Sequence, residues 1–137
     1  MPYKVLIDPY FVLNGTNLTA YVQKVEVPLE REDLDVTTSG SGGAMEHAKG
    51  LEKGTIKITF LDSFGTGEVD AVLFPLYKAD AAVTFEARAD SDAVSTSNPK
   101  WTGLTQVTQY SLGGAVGQAA VKELEWPTSG PTSRAVA

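Results

Sequence analysis

Apolar and polar residues alternate with a period of two over several short runs of this chain, and with a helical period over one. Thr55-Ile56-Lys57-Ile58-Thr59-Phe60 and Val83-Thr84-Phe85-Glu86-Ala87-Arg88 alternate as half-buried strands do. Between them, Val69, Val72, Leu73 and Leu76 fall at i, i+3, i+4 and i+7 spacing, which predicts a short helix over about residues 68–76 with one apolar stripe. Thr66, in the turn Gly65-Thr66-Gly67, is placed to cap its first amides. Pro75 has no amide hydrogen for the carbonyl of Ala71, so the helix is expected to kink or end there. So short a helix does not persist alone in water; it must lay its stripe on a sheet.

The flanking sequence supplies more strands. Tyr3–Ile7 and Tyr10–Leu13 read as the first two, and Asn14-Gly15 is a strong tight-turn signal. Ala20–Val27 is a long alternating run, with Val25, Val27 and Leu29 on one face and Lys24, Glu26 and Pro28 on the other. Pro28 cannot donate to a ladder and belongs at an edge or bulge. Glu30 to Asp35 is acidic. It leads into Ser39, Gly40, Ser41, Gly42, Gly43, Ala44, Met45, Glu46, His47, Ala48 and Lys49, a stretch without period. This predicts a long loop at about residues 38–50, functional or mobile. Trp101–Leu112 and Ala119–Trp126 read as two further strands, the second with Ala120, Lys122, Leu124 and Trp126 on one side. Residues 127–137 form a polar arm that cannot build a core. Together these elements predict one mainly β domain over residues 1–137, a β-sandwich or barrel carrying one short flanking α-helix, with extended terminal arms.

The 137 residues are 42% hydrophobic, enough for one real core. The net charge of −6 and a sequence pI near 4.7 argue against a phosphate-gripping nucleic-acid binder and against attraction to anionic lipid. They do not argue against a surface that DNA passes without sticking. Cysteine is absent, which excludes disulfides and thiolate chemistry. No run approaches the roughly 18 apolar residues of a membrane span. The opening residues lack signal-peptide organisation, so a soluble protein not secreted by that route is expected. The sequons at Asn14 and Asn17 are then chance matches.

No enzyme emerges from the residues. The single histidine, His47, has neither an activated nucleophile nor an orienting group beside it in sequence, because nearby hydroxyls such as Ser39 and Ser41 are not activated by proximity alone. One histidine without cysteine does not make a zinc site. The acids Glu30, Glu32, Asp33 and Asp35 lack the ordered ligand loop of a calcium site and read as a solvated charged face. Asp62, Glu68 and Asp70 suit the positive end of the helix dipole. Trp101, Tyr110 and Trp126 would serve a carbohydrate-binding module if they shared a face, but aromatics on alternating strands are more often core. No cofactor is implied.

Three stretches, taken in order and spacing, resemble the major tail (tail tube) proteins of long, non-contractile-tailed, siphovirus-type bacteriophages, especially those of actinobacterial hosts. They are Asp35-Val36-Thr37 through the Gly-rich loop to Gly50-Leu51-Glu52-Lys53-Gly54 and the strand ending in Phe60; Phe64, Gly67, Val69-Asp70-Ala71 and Leu73-Phe74-Pro75-Leu76 with the strand Val83–Arg88; and Trp126-Pro127, Ser129-Gly130-Pro131 and Arg134-Ala135. Family members often carry basic residues in the long loop, where this chain has Gly and Ser. The resemblance implies a non-catalytic virion protein that assembles into hexameric rings. These stack into a tube through which DNA is delivered without specific binding. It implies self-contacts through the loop Ser39–Lys49 and through an arm carrying Pro127, Pro131 and Arg134. The implied partners are tail-tip or initiator, tape measure and terminator proteins, with assembly in the host bacterial cytoplasm and no membrane. Another tail or injection-machine ring protein is the near alternative. From the acidic bias, some of Glu26, Glu30, Glu32, Asp33 and Asp35 are expected to face the lumen, these five being the candidate acidic lumen face.

Overall fold

The computed structural model describes residues 5–137. Among them the elements are β1 (Tyr10–Leu13), β2 (Thr16–Asn17), β3 (Val22–Glu26), β4 (Leu29–Asp35), β5 (His47–Leu61), α1 (Val69–Lys78), β6 (Val83–Arg88), β7 (Lys100–Thr105), β8 (Val121–Pro127) and β9 (Ser133–Ala135). One antiparallel sheet runs in the order β2-β1-β6-β7-β9. The other is built on β5, with β8 along one edge and β3 followed by β4 along the other. The sheets do not close into a barrel; the fold is a β-sandwich with one short helix.

The period-two runs supply the core because alternate residues of a strand point to one face. Phe11 and Leu13 of β1 and Val83, Phe85 and Ala87 of β6 meet Ile56, Ile58 and Phe60 of β5 and Leu124 and Trp126 of β8. The Phe11 and Phe60 ring centroids are 6.2 Å apart. The predicted stripe of α1 joins them, with Val69 and Leu73 fully buried and Val72 and Leu76 at the rim. Asn14 (φ 50°) and Gly15 (φ 79°) both adopt the left-handed conformation that a two-residue turn between β1 and β2 requires.

Several local expectations are corrected. Tyr3 and Lys4 lie outside the described residues, and the exposed Val5–Ile7 belong to no strand. A 3-10 turn at Thr19–Tyr21 takes the start of the Ala20 run, and Leu29 is exposed rather than sharing the buried side of Val25 and Val27. Thr66 does not cap α1. Instead the Ser63 and Gly65 carbonyls accept the amides of Asp70 (3.0 Å) and Glu68 (3.1 Å). The helix also continues through Pro75, whose carbonyl accepts the Ala79 amide at 3.0 Å.

Strand β7 stops at Thr105, although the alternation continues to Leu112. There the buried Thr105 hydroxyl and the Gln106 amide both donate to the Pro127 carbonyl, at 2.9 and 3.3 Å. The chain then leaves the first sheet and follows the outer edge of β8. The Gln109 side-chain oxygen accepts the Glu125 amide and its carbonyl accepts the Trp126 indole, each at 3.0 Å.

Candidate functional site

Strands β3 and β4 run in line along one side of β5, Val22–Glu26 opposite Phe60–Lys57 and Leu29–Asp35 opposite Gly54–His47. Strand β8 covers the other side of β5 only from Thr55 to Leu61. The distal half is therefore a two-stranded ribbon with both edges open, and β4 is exposed at every one of its 7 residues. At about 3.4 Å per residue the ribbon projects on the order of 20 Å.

The ribbon's end is shorter and more ordered than a long loop. His47, Ala48 and Lys49 are strand residues paired with Asp35, Leu34 and Asp33, so the stretch outside the strands is residues 36–46, and the Val36 amide still donates to the Glu46 carbonyl at 3.0 Å. Within it Thr38 and Ser41 form a capping box around a 3-10 turn, the Thr38 hydroxyl accepting the Gly40 amide and the Ser41 hydroxyl accepting the Thr38 amide. The Thr37 hydroxyl accepts the Glu46 amide at 2.8 Å, and the Asp35 carboxylate accepts the Thr37 amide at 2.9 Å. That last bond holds the Asp35 carboxyl below its ordinary pKa.

The acidic run is balanced across the ladder. Glu26 faces Lys57, Glu30 faces Lys53, Asp33 faces Lys49 and Asp35 faces His47. His47 is thus no loose loop residue; its Nδ1 lies 2.9 Å from the Asp33 carboxylate. Glu32 sits at the register shift and crosses Gly50, where a Cβ would come within 2.9 Å of its Oε2. Arg31 donates to the carbonyls of Gly50 and Lys49. Acidic residues opposite lysines at three of these positions favour this register.

The arm residues are docked on their own chain. Pro127 closes β8, Pro131 lies beside Gly103, and the Arg134 guanidinium sits 5.8 Å from the Trp101 ring centroid. Nor do the three aromatics make a platform. Trp126 is fully buried, while Tyr110 donates to Asp70 and packs edge-on against Phe74 with centroids 5.2 Å apart.

One constellation joins residues that the sequence pattern does not bring together. Lys122, on the inward face of β8, has no exposed side-chain surface. Its Nζ lies 2.9 Å from Asp62 Oδ2 and 3.4 Å from Asp70 Oδ1, donates to the Ser111 carbonyl, and stands 4.3 Å from the Tyr110 ring centroid. Burial alone pushes the ammonium pKa down, but Asp62, with Tyr110 and Asp70, outweighs it, and the Lys122 pKa is raised above its ordinary 10.5. The Tyr110 pKa is raised above its ordinary 10.0, first by its hydrogen bond to Asp70 and then by burial.

Both groups bind their protons more tightly folded than unfolded. Their contribution is therefore complete below the ordinary values and lost as pH rises through the raised ones. We expect the urea midpoint to hold between pH 8 and about pH 10 and to fall above that. A midpoint that stays level to about pH 11.5 would count against the network. Glu68 acts at the other end of the scale. Its carboxylate accepts the Ser63 hydroxyl and the Gly65 amide, which lower its pKa and tie the turn before α1.

The arrangement has the form of a scaffold that presents a long ribbon from a rigid sandwich. Among the described residues, no group of three or more His, Cys, Asp or Glu is placed to hold a metal ion. No protein-family model matches the chain, and neither does any curated protein. Solved structures do share its fold. A chain of the virion of a native gene transfer agent particle superposes with a TM-score of 0.73 at 16% identity, over 93% of this chain and 95% of that one. A chain from the tail of an empty gene transfer agent particle, refined with helical C6 symmetry, superposes with a TM-score of 0.65 at 16% identity, over 82% and 81%.

Proposed function

We propose that this chain is a structural virion protein, the repeating subunit of a phage-type tail tube. Copies form hexameric rings that stack, and DNA passes down the lumen without specific binding. The subunit performs no catalysis. The observation that carries this reading is the β4–β5 ribbon, which presents two open strand edges and no buried face of its own. Such an element is stabilised by strands of a neighbour. The likeness to chains of a gene transfer agent virion and of a C6-symmetric tail supports the same reading. A ring joined head to tail that also stacks is a heterologous assembly that grows along its axis. Tail-tip, tape measure and terminator proteins are the partners that such a tube needs at its ends and within it. The protein is made in the host cytoplasm and resides in the virion.

Negative-stain electron microscopy over a concentration series, paired with light scattering, tests this. Rings or hollow tubes of uniform width are expected. A chain that remains monomeric at every concentration, with and without a tail-tip initiator, would refute it.

A further inference from the structure

The edge of β7 is covered by the chain's own C-terminal arm. That arm runs antiparallel along the whole strand. Thr128 bridges to Thr105, the Ser129 amide donates to the Leu104 carbonyl at 2.8 Å, and Ser133, Arg134 and Ala135 pair with Thr102, Trp101 and Lys100. It is a weak occupant. None of residues 128–137 is buried, Pro131 has no amide to donate, and Gly130 turns at φ 87°. Beyond backbone bonds, its one ring contact is the Arg134 guanidinium at 5.8 Å from Trp101. The strand beneath is a strong acceptor, six residues of sequence Lys-Trp-Thr-Gly-Leu-Thr backed by the core strand β6.

We propose that residues 128–135 are a releasable guard on the β7 edge, displaced in the assembly by β4 of a second copy. Strand β4 suits the edge in length, exposure and charge. It has 7 residues, all exposed, with four acids and one arginine, against a strand of 6 residues with one lysine and no acid. The pairing joins two different surfaces of one chain, so it propagates rather than closing on a dimer. A self-guarded edge also keeps the free subunit from pairing early. This inference rests on the assembling role proposed above.

The absence of cysteine makes a reversible test possible. Thr102 and Ser133 face each other across the ladder. Their Cα atoms therefore lie about 4.5–5.5 Å apart, within disulfide range. The T102C/S133C chain should stay dispersed when oxidised and form tubes when reduced. A chain ending at Pro127 should polymerise at lower concentration than the full chain. Equal polymerisation of oxidised and reduced chains overturns the guard alone, as does loss of polymer on truncation. No polymer in any form, wild type included, removes the assembling role on which the guard depends.

Discussion

Replacing Lys122 with alanine should destabilise the fold by about 3–5 kcal/mol, the usual cost of removing one partner from a buried ion pair. The substitution leaves the Asp62 carboxylate with no exposed surface and no counter-charge, its remaining bond being the 2.9 Å one from the Ser63 amide. It also frees the Ser111 carbonyl, which holds the connection before β8, and removes the cation beside Asp70 in the first turn of α1. One ammonium thus ties β8 to the end of β5, to the helix and to the connection between β7 and β8. Lys122→Met combined with Asp62→Asn leaves no unpaired charge at the deepest position and should be more stable than Lys122→Ala alone, although two natural groups are replaced rather than one. Urea unfolding of the three chains at pH 7 decides it. A single-variant cost below about 1 kcal/mol would show the pair to be no more than a surface-grade contact.

The same residue shows where the sequence is legible and where it is not. The sandwich core can be read directly, because Ile56, Ile58 and Phe60, or Val83, Phe85 and Ala87, repeat with the strand period, and Val69 and Leu73 with the helical one. Lys122 stands in plain view at an inward position between Ala120 and Leu124. An inward lysine demands a buried counter-charge, so the signal is present, but nothing local points to partners as distant in sequence as Asp62 and Asp70. Strand β4 is hidden for the opposite reason. Neither of its faces is buried, so no apolar alternation marks it, and it pairs with β5 through its backbone with mostly polar and charged side chains at the facing positions. The C-terminal arm is equally silent, since it docks through backbone bonds that no side-chain pattern records. Core elements announce themselves by burial; the ribbon, neither face of which is buried, and the arm, held through its backbone, do not.

Shortening the ribbon should abolish assembly while leaving the sandwich folded. Glu30 and Lys53 are directly opposed across the ladder. Replacing residues 31–52 with Asn-Gly would join them through a two-residue turn matched to the twist of the strands. Every core residue lies outside the excised segment, and the excised side chains are largely solvent-exposed. Unfolding free energy should therefore change by no more than about 1 kcal/mol. Excising only Ser39–Lys49 is a poorer test, because it removes the His47–Lys49 rungs and leaves Asp33–Asp35 unpaired. Circular dichroism and thermal melts report the core; light scattering and negative-stain microscopy report the polymer. A melted core would mean that the ribbon props up the sandwich. Tubes indistinguishable from wild type would mean that the ribbon is ornamental and that the open edges are satisfied by water. The expected outcome, a stable sandwich that no longer polymerises, would assign the extra length of β5 beyond β8 to neighbours, since β4 is the only strand of their own chain that those rungs meet among the described residues.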